Sequence, residues 1–166
     1  SHNRLCISHN LSDKHFKQGA EQKRTVYLYV YGQNHTEKRT NKFNTQSFTP
    51  RQHFLASQCI SRQHGLSTEL LYDHHAPIAQ TVFARTHAHA IAAGVFHNDV
   101  ICTANESTLL LHEHAFENQA QVIDQLINAC NFTLTVCTVK HEELSLQEAV
   151  DCYLFNSQLI TLPNHD

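Results

Sequence analysis

The stretch from residue 97 to residue 139, HNDVICTANESTLLLHEHAFENQAQVIDQLINACNFTLTVCTV, decides the fold that we predict for this chain. Residues 100–104 and 108–112 are apolar and flank a short polar turn, which is typical of two paired strands. Apolar residues then recur at helical spacing through residues 115–130, and residues 132–139 again favour a strand. The stretch therefore predicts two strands, a helix and a third strand.

The same order of elements occurs earlier in the chain, after a similar tetrapeptide. His2-Asn3-Arg4-Leu5 opens the earlier set as His97-Asn98-Asp99-Val100 opens the later one. The earlier set continues with a strand, a helix and a strand, at residues 25–31, 49–64 and 81–85. Such a repeat is typical of architectures in which each unit covers the apolar face of its neighbour.

We therefore interpret residues 1–166 as a single fragment of an α/β domain that contains about two ββαβ units. The first unit is predicted at residues 1–92, the second at 93–144 and the start of a third at 145–166. Ser145 and Glu148 have the spacing of a capping box, so a helix should begin there and run to about Cys152. The segment 153–162 is expected to add one more strand.

Local details of the two longer helices follow from the same patterns. Thr49 is a suitable N-cap for the first helix, with Pro50 in its first turn and Gln52 completing a capping box. The second helix is expected to bury one apolar face, which consists of Phe116, Ala120, Ile123, Ile127 and Cys130. Residues 66–80 are ambiguous between a helical turn and a loop.

Charge and hydropathy exclude two classes of partner. The formal net charge is only −3 and the basic residues are scattered, so we expect no nucleic-acid binding. No apolar run approaches the roughly 18 residues that a membrane span needs, and no secretory leader is evident, so we predict a cytoplasmic location. The chain contains no methionine. We therefore expect it to be a fragment of a longer protein.

The six cysteines and fifteen histidines are the chemically distinctive part of the composition. Because no cysteines form a C-x-x-C pair, we interpret them as reduced thiols that pack as small hydrophobic residues, with a disulfide framework as the alternative. Short histidine clusters suggest a metal-binding module as a second function, and they include His74-His75, His87 with His89, and His112 with His114. None has a complete ligand spacing, so we expect no metal cofactor.

The heptad Gly94-Val95-Phe96-His97-Asn98-Asp99-Val100 is the strongest candidate for chemistry. His97 and Asp99 lie two residues apart at a predicted strand start, which directs both side chains to one face. An imidazole exchanges protons near neutral pH, and a carboxylate binds a guanidinium through two hydrogen bonds. From the residues alone, a purely local hydrogen bond is the favoured interpretation.

Arg51 is the second candidate, because it lies in the first turn of the predicted helix. The helix dipole disfavours a cation at that position, whereas an anionic ligand would reverse the penalty. Arg51 is therefore a candidate for binding a carboxylate, and the alternative is a side chain that points into solvent.

Several blocks of the sequence resemble the N-succinylarginine dihydrolase family of bacterial arginine catabolism. They occur in family order across essentially the whole chain: HNRL at 2–5, LYVYG at 28–32, PRQ at 50–52, GVFHNDV at 94–100, LHEHAF at 111–116 and YLFNSQL at 153–159. The resemblance implies a pentein fold, an α/β propeller of five ββαβ blades, of which this chain would supply a part. It also implies hydrolysis of N-succinylarginine to N-succinylornithine, ammonia and carbon dioxide without a cofactor.

The resemblance further implies the roles of three residues. His97 corresponds to the catalytic histidine, while Arg51 and Asp99 correspond to substrate-binding residues. The family's catalytic glutamate would fall immediately before Ser1, and its nucleophilic cysteine would fall well beyond the YLFNSQL block. We therefore expect the isolated chain to be inactive. We also expect the full-length enzyme to be a homodimer. An inert structural domain is a further alternative.

Overall fold

The computed structural model describes residues 4–8, 25–33, 52–61, 81–130 and 132–162. Within them lie two three-stranded mixed sheets and four helices. The predicted N-cap Thr49, the site candidate Arg51, the ambiguous segment 66–80 and the His74-His75 pair lie outside the described residues.

The first sheet is built from strands β1 (Arg4–Ile7), β2 (Val26–Tyr31) and β3 (Thr81–Arg85). Strand β1 pairs with β2 in antiparallel fashion, and β2 pairs with β3 in parallel. Helix α1, whose described part is residues 54–61, lies between β2 and β3 in the chain. A parallel pair requires such a crossover connection, which confirms the predicted order of strand, strand, helix and strand.

The second sheet repeats the same order and the same strand directions. Strands β4 (Cys102–Asn105) and β5 (Thr108–His112) are antiparallel, and β5 is parallel to β6 (Thr135–Val139). The parallel pair is again joined through a helix, α3 (Gln119–Ala129). A five-residue helix, α2 (Ala88–Ala92), precedes β4 in the chain. The predicted hairpin is confirmed, with Glu106 and Ser107 as its turn.

Contacts between the two sheets produce one continuous core. Strand β1 contacts β4, where Ser8 N donates to Glu106 O at 3.0 Å. Helix α3 belongs to the second set of elements but packs against β2 and β3 of the first sheet. The second set therefore covers apolar surface of the first sheet, and buried side chains from both sheets form a single cluster.

The predicted buried face of α3 is wrong by about one residue. Val122 and Leu126 are the buried residues of the helix, whereas Ile127 is 49% exposed. The error arises because Phe116 is not helical: it is buried in a turn and forms an isolated bridge with Thr86. Asn118 then adopts a left-handed conformation with φ of 50°, so the helical phase starts afresh at Gln119.

The start of α1 also differs from the prediction. Gln52 is not helical, because its carbonyl oxygen accepts hydrogen bonds from Gly32 N and Gln33 N at 2.9 and 3.1 Å. Helix α1 begins only after His53, whose Nδ1 accepts the amide of Leu55 at 3.2 Å. An imidazole therefore caps this helix in the manner expected of a serine or aspartate.

In the C-terminal region the predicted helix is confirmed, and the predicted strand is wrong. Helix α4 (Leu146–Cys152) begins with the predicted capping box of Ser145 and Glu148. The segment 153–162 forms no strand, because Tyr153 ends α4 in a left-handed conformation with φ of 53°. Side chains hold the segment along β4 instead: Thr103 Oγ1 donates to Ser157 O, and Asn105 Nδ2 donates to Thr161 Oγ1.

Candidate active site

The His97–Asp99 pair lies in a short loop and not on a strand as predicted. His97 has extended backbone geometry and precedes a 3-10 turn, Asn98–Val100, while β4 starts only at Cys102. The turn brings the two side chains together, and His97 Nδ1 is hydrogen-bonded to Asp99 Oδ1. The local hydrogen bond that the sequence allowed is therefore present.

This hydrogen bond fixes the tautomer of a neutral His97. A carboxylate only accepts, so Nδ1 must carry the proton and the ring lone pair must lie on Nε2. The His97 side chain is 11% exposed and that of Asp99 is 41% exposed. Asp99 Oδ2 has no hydrogen-bond partner among the described residues. One carboxylate can thus orient the imidazole through Oδ1 and still present Oδ2 to a ligand.

A small recess adjoins His97, at the edge where β2 and β3 end. Its walls come from the end of β2 and the residue after it, from Gln52 two residues before α1, from the residue after β3, and from residues 95–98, which lead into the 3-10 turn. The lining residues are Val30, Tyr31, Gly32, Gln52, Thr86, Val95, Phe96, His97 and Asn98. The carboxyl ends of parallel strands are common positions for ligand sites in α/β folds.

Of the three predicted site residues, His97 alone is seen to line this recess in the described part of the chain. His97 lines it, and Asp99 is bonded to His97 without lining it. Arg51 is outside the described residues, although Gln52, the next residue in the chain, lines the recess. Asn98, which is buried and lines the same recess, was not predicted from the sequence. Its position between two candidate residues was the available signal.

The cysteines near this region are not activated nucleophiles. All six are free thiols, as predicted, but only Cys102 is buried and four are exposed, so the prediction that they pack in the core is wrong for those four. Cys102 Sγ donates to Asn98 O at 3.2 Å, and burial together with the nearby Asp99 carboxylate raises the pKa of its thiol far above the ordinary value. Burial also raises the pKa of Cys130 to about 11.

Comparison with known proteins identifies the family. A model of the succinylarginine dihydrolase family matches residues 1–166. The chain belongs to the succinylarginine dihydrolase family. It is 41% identical to an N-succinylarginine dihydrolase of Legionella pneumophila over 164 residues, which are 99% of this chain and 32% of that protein. Proteins named N-succinylarginine dihydrolase in Chromohalobacter salexigens and Shewanella denitrificans are 37% and 35% identical to this chain, each over 99% of its length.

The chain spans about a third of the length of these curated relatives, 31–32% of each. No helix in the described part of the chain is long and apolar enough to cross a membrane. This member of the succinylarginine dihydrolase family contains the His97–Asp99 pair and a recess beside it.

The fold gathers five histidines that are scattered in the sequence. Neighbouring rings have centroids 4.9–5.9 Å apart, and the cluster contains His87, His89, His112, His114 and His141. Two of these rings act as local acceptors: His87 Nδ1 accepts the amide of His89, and His112 Nδ1 accepts that of His114. Sequence patterns missed this capping role because histidine is not a usual cap residue.

Capping conflicts with metal binding at two of these histidines. A neutral ring whose Nδ1 accepts a hydrogen bond carries its proton on Nε2, so no lone pair remains for a metal. His112 Nε2 is additionally bonded to Leu144 O at 2.8 Å. Within the described ranges, no group of three or more His, Cys, Asp or Glu side chains has an arrangement that could hold a metal ion.

Zinc titration tests this interpretation of the cluster. We expect isothermal titration of the full-length protein with Zn²⁺ to show only weak, non-integral binding by these rings. The reason is that His87 Nδ1 and His112 Nδ1 would first have to lose the hydrogen bonds that they accept. The matched control is a His87→Asn, His89→Asn variant. A tight one-to-one site that is lost in this variant would contradict the prediction and favour the metal-binding alternative.

The same histidines predict that acid destabilises the protein. Burial lowers the pKa of His87, an effect that Glu117 opposes and His89 and His114 reinforce. Burial also lowers the pKa of His112, opposed by its bond to Leu144 O. Because the folded-state pKa values lie below the unfolded value of about 6.5, the unfolded chain binds protons first as pH falls. The stabilisation is complete above about pH 6.5 and decreases as the pH falls below it.

Urea unfolding at pH 7.5 and pH 5.5 measures this effect. The parent protein should lose unfolding free energy between the two pH values, and His112→Gln should lose less, since glutamine offers an N–H donor but does not titrate. At pH 7.5 the variant should be less stable by about 1–3 kcal/mol, the cost of disturbing a buried hydrogen bond. An identical pH dependence in parent and variant would contradict the assignment to His112.

Proposed function

We propose that the protein carrying this chain hydrolyses N-succinyl-L-arginine to N-succinyl-L-ornithine, two ammonia and carbon dioxide in arginine catabolism, in the cytoplasm. One observation carries the proposal: a histidine oriented by an aspartate lines a recess in a chain of the succinylarginine dihydrolase family. The relatives quoted above are named for this reaction.

In this proposal His97 transfers protons at the substrate. Its Nδ1–H remains bonded to Asp99. Nε2 accepts the proton of the nucleophilic thiol and gives it to the departing ammonia. It then accepts a proton from the attacking water and returns it to the thiolate as the thiolate leaves. Two such cycles replace both terminal nitrogens of the guanidinium with oxygen, and the resulting carbamate loses carbon dioxide to leave N-succinylornithine. The hydrogen bond from Nδ1 to Asp99 Oδ1 holds the ring in one orientation through both steps.

The nucleophile of this proposal is a cysteine thiolate from a part of the protein outside this chain. Cys102 and Cys130 have raised pKa values and would be largely protonated near neutral pH. The other four thiols, Cys6, Cys59, Cys137 and Cys152, do not line the recess. A catalytic glutamate is likewise proposed to come from outside this chain.

Asp99 and Arg51 are proposed to hold the two ends of the substrate. Asp99 Oδ2 accepts N–H groups of the guanidinium while Oδ1 stays bonded to His97, so that the reacting carbon lies beside the imidazole. Arg51 binds a carboxylate of the succinyl end, because guanidinium and carboxylate form paired, charge-assisted hydrogen bonds. Its neighbour Gln52 lines the recess, which supports this proposed role for Arg51.

We also propose that the two repeated sets of elements are ββαβ blades of a five-bladed pentein ring, at 1–92 and 93–144, with a third starting at 145. The matching order and direction of strands in the two sheets support this arrangement. Helix α3 packing against the first sheet is the contact expected between neighbouring blades. A homodimer of the whole enzyme stays a prediction.

Arg51 variants of the full-length protein test the binding of the succinyl end. We expect Arg51→Ala to raise KM for N-succinylarginine about tenfold or more while changing kcat little, because the lost contact is remote from the reacting carbon. Arg51→Lys keeps the charge but not the two-pronged geometry, so its KM should be intermediate. A large loss of kcat with unchanged KM would place Arg51 at the chemistry and contradict the proposed role.

A further inference from the structure

Asn98 has a buried polar atom at the recess that lacks a partner among the described residues. The residue is 3% exposed, and within the described part of the chain its side-chain Oδ1 accepts no hydrogen bond. Its main-chain oxygen, in contrast, accepts from Ile101 N at 3.0 Å and from Cys102 Sγ at 3.2 Å. The lack of a partner is therefore specific to the amide oxygen of the side chain.

An isolated acceptor of this kind destabilises the free protein. Leaving a buried carbonyl oxygen without a hydrogen bond costs about 1–3 kcal/mol, and most buried polar groups avoid it. A leucine, which has the same branched shape without the polar atoms, would remove this cost. The asparagine is thus unfavourable for folding at this position, which is the behaviour of a group that is satisfied by a ligand.

The position of Asn98 indicates which ligand group it would bind. The residue follows His97 in the chain and lines the same recess, whose nearby walls include the apolar side chains of Val30, Val95 and Phe96. In apolar surroundings a lone acceptor selects strongly for an N–H or O–H donor. A guanidinium has five N–H donors and no acceptor, so a site for it needs more acceptors than one carboxylate supplies.

We propose that Asn98 is a substrate-binding residue whose Oδ1 accepts an N–H of the substrate guanidinium beside His97. The inference rests on the proposed function, since it takes N-succinylarginine as the ligand. It adds a neutral acceptor to the charged contact made by Asp99. A neutral oxygen directs the orientation of the planar group without holding the cationic product so firmly that release is slowed.

Substitutions of Asn98 in the full-length protein separate this role from a structural one. Asn98→Leu should leave the Tm of the ligand-free protein unchanged or raise it, because an unsatisfied acceptor is removed. In an inactive His97→Ala background, the same change should weaken the Kd for N-succinylarginine by roughly 5- to 150-fold, which corresponds to 1–3 kcal/mol. Asn98→Asp, which retains an acceptor, should bind more tightly than Asn98→Leu.

The control variant is Asn128→Leu, which replaces an exposed asparagine on α3; it should keep the parent Kd. The inference is overturned if Asn98→Leu lowers the Tm of the free protein, because the oxygen would then bond to another part of the protein. It is also overturned if Asn98→Leu binds as tightly as its background, or if no binding occurs at all. Turnover by the parent decides the proposed function separately: binding that depends on Asn98 without turnover would sustain this inference and reject that function.

Discussion

Replacing His97 by alanine in the full-length protein should lower kcat by roughly 100-fold or more, the usual scale for loss of a general acid–base group. Ammonia leaves poorly unless it is protonated, and water attacks poorly unless a base removes its proton. His97 can serve both steps because its Nδ1 bond to Asp99 keeps the lone pair of the neutral ring on Nε2. KM should change less than kcat, since the imidazole acts mainly in the transition state.

The matched control for this experiment is His114→Ala, which removes a histidine that does not line the recess. It should retain most of the parent kcat. Circular dichroism and the Tm of each variant establish that the fold is intact. A folded His97→Ala protein with near-normal kcat would show that the proton-transfer role is assigned to the wrong residue.

Replacing Phe155 by alanine should destabilise the protein by about 3–5 kcal/mol, the usual cost of truncating a buried phenylalanine. Phe155 is the one fully buried side chain in the segment 153–162, and its neighbours are mainly exposed. Because the segment forms no strand ladder, the packing of this ring and a few side-chain hydrogen bonds hold it along β4. Loss of the ring should therefore release the whole segment.

Leu154→Ala is the control for this effect, since Leu154 is 44% exposed and next to Phe155 in the chain. Its unfolding free energy should differ from that of the parent by no more than about 1 kcal/mol. Urea unfolding of both variants compares the two costs directly. Equal destabilisation by the two substitutions would show that Phe155 does not anchor the segment.

The order of elements was predictable from sequence because it depends on local patterns. Alternating apolar residues predicted β2, and the capping box of Ser145 and Glu148 predicted the start of α4. The errors come from residues that make the pattern ambiguous. Asn118 adopts a left-handed conformation, so the helical phase of α3 starts afresh after it. Tyr153 adopts the same conformation and ends α4, whereas the apolar residues of 153–162 had indicated a strand.

The candidate site was only partly predictable for a different reason. The contact between His97 and Asp99 follows from their separation by one residue, and short spacing is visible in sequence. The recess is formed by parts of the chain that are distant in sequence, including Gly32, Gln52 and Thr86, whose approach depends on pairing of β2 with β3. The burial of Asn98 and the histidine cluster also depend on tertiary contacts, which sequence patterns do not show. The position of Asn98 between His97 and Asp99 was its one available signal.

Product analysis of the full-length protein is the direct test of the proposed hydrolysis of N-succinylarginine. Purified protein is incubated with N-succinylarginine, and ammonia and N-succinylornithine are quantified at successive times. The account predicts two ammonia for each N-succinylornithine, with the His97→Ala protein producing little of either. One ammonia with a ureido product would indicate that hydrolysis stops after the first nitrogen. Absence of any ammonia from the folded, full-length protein would contradict the proposed function.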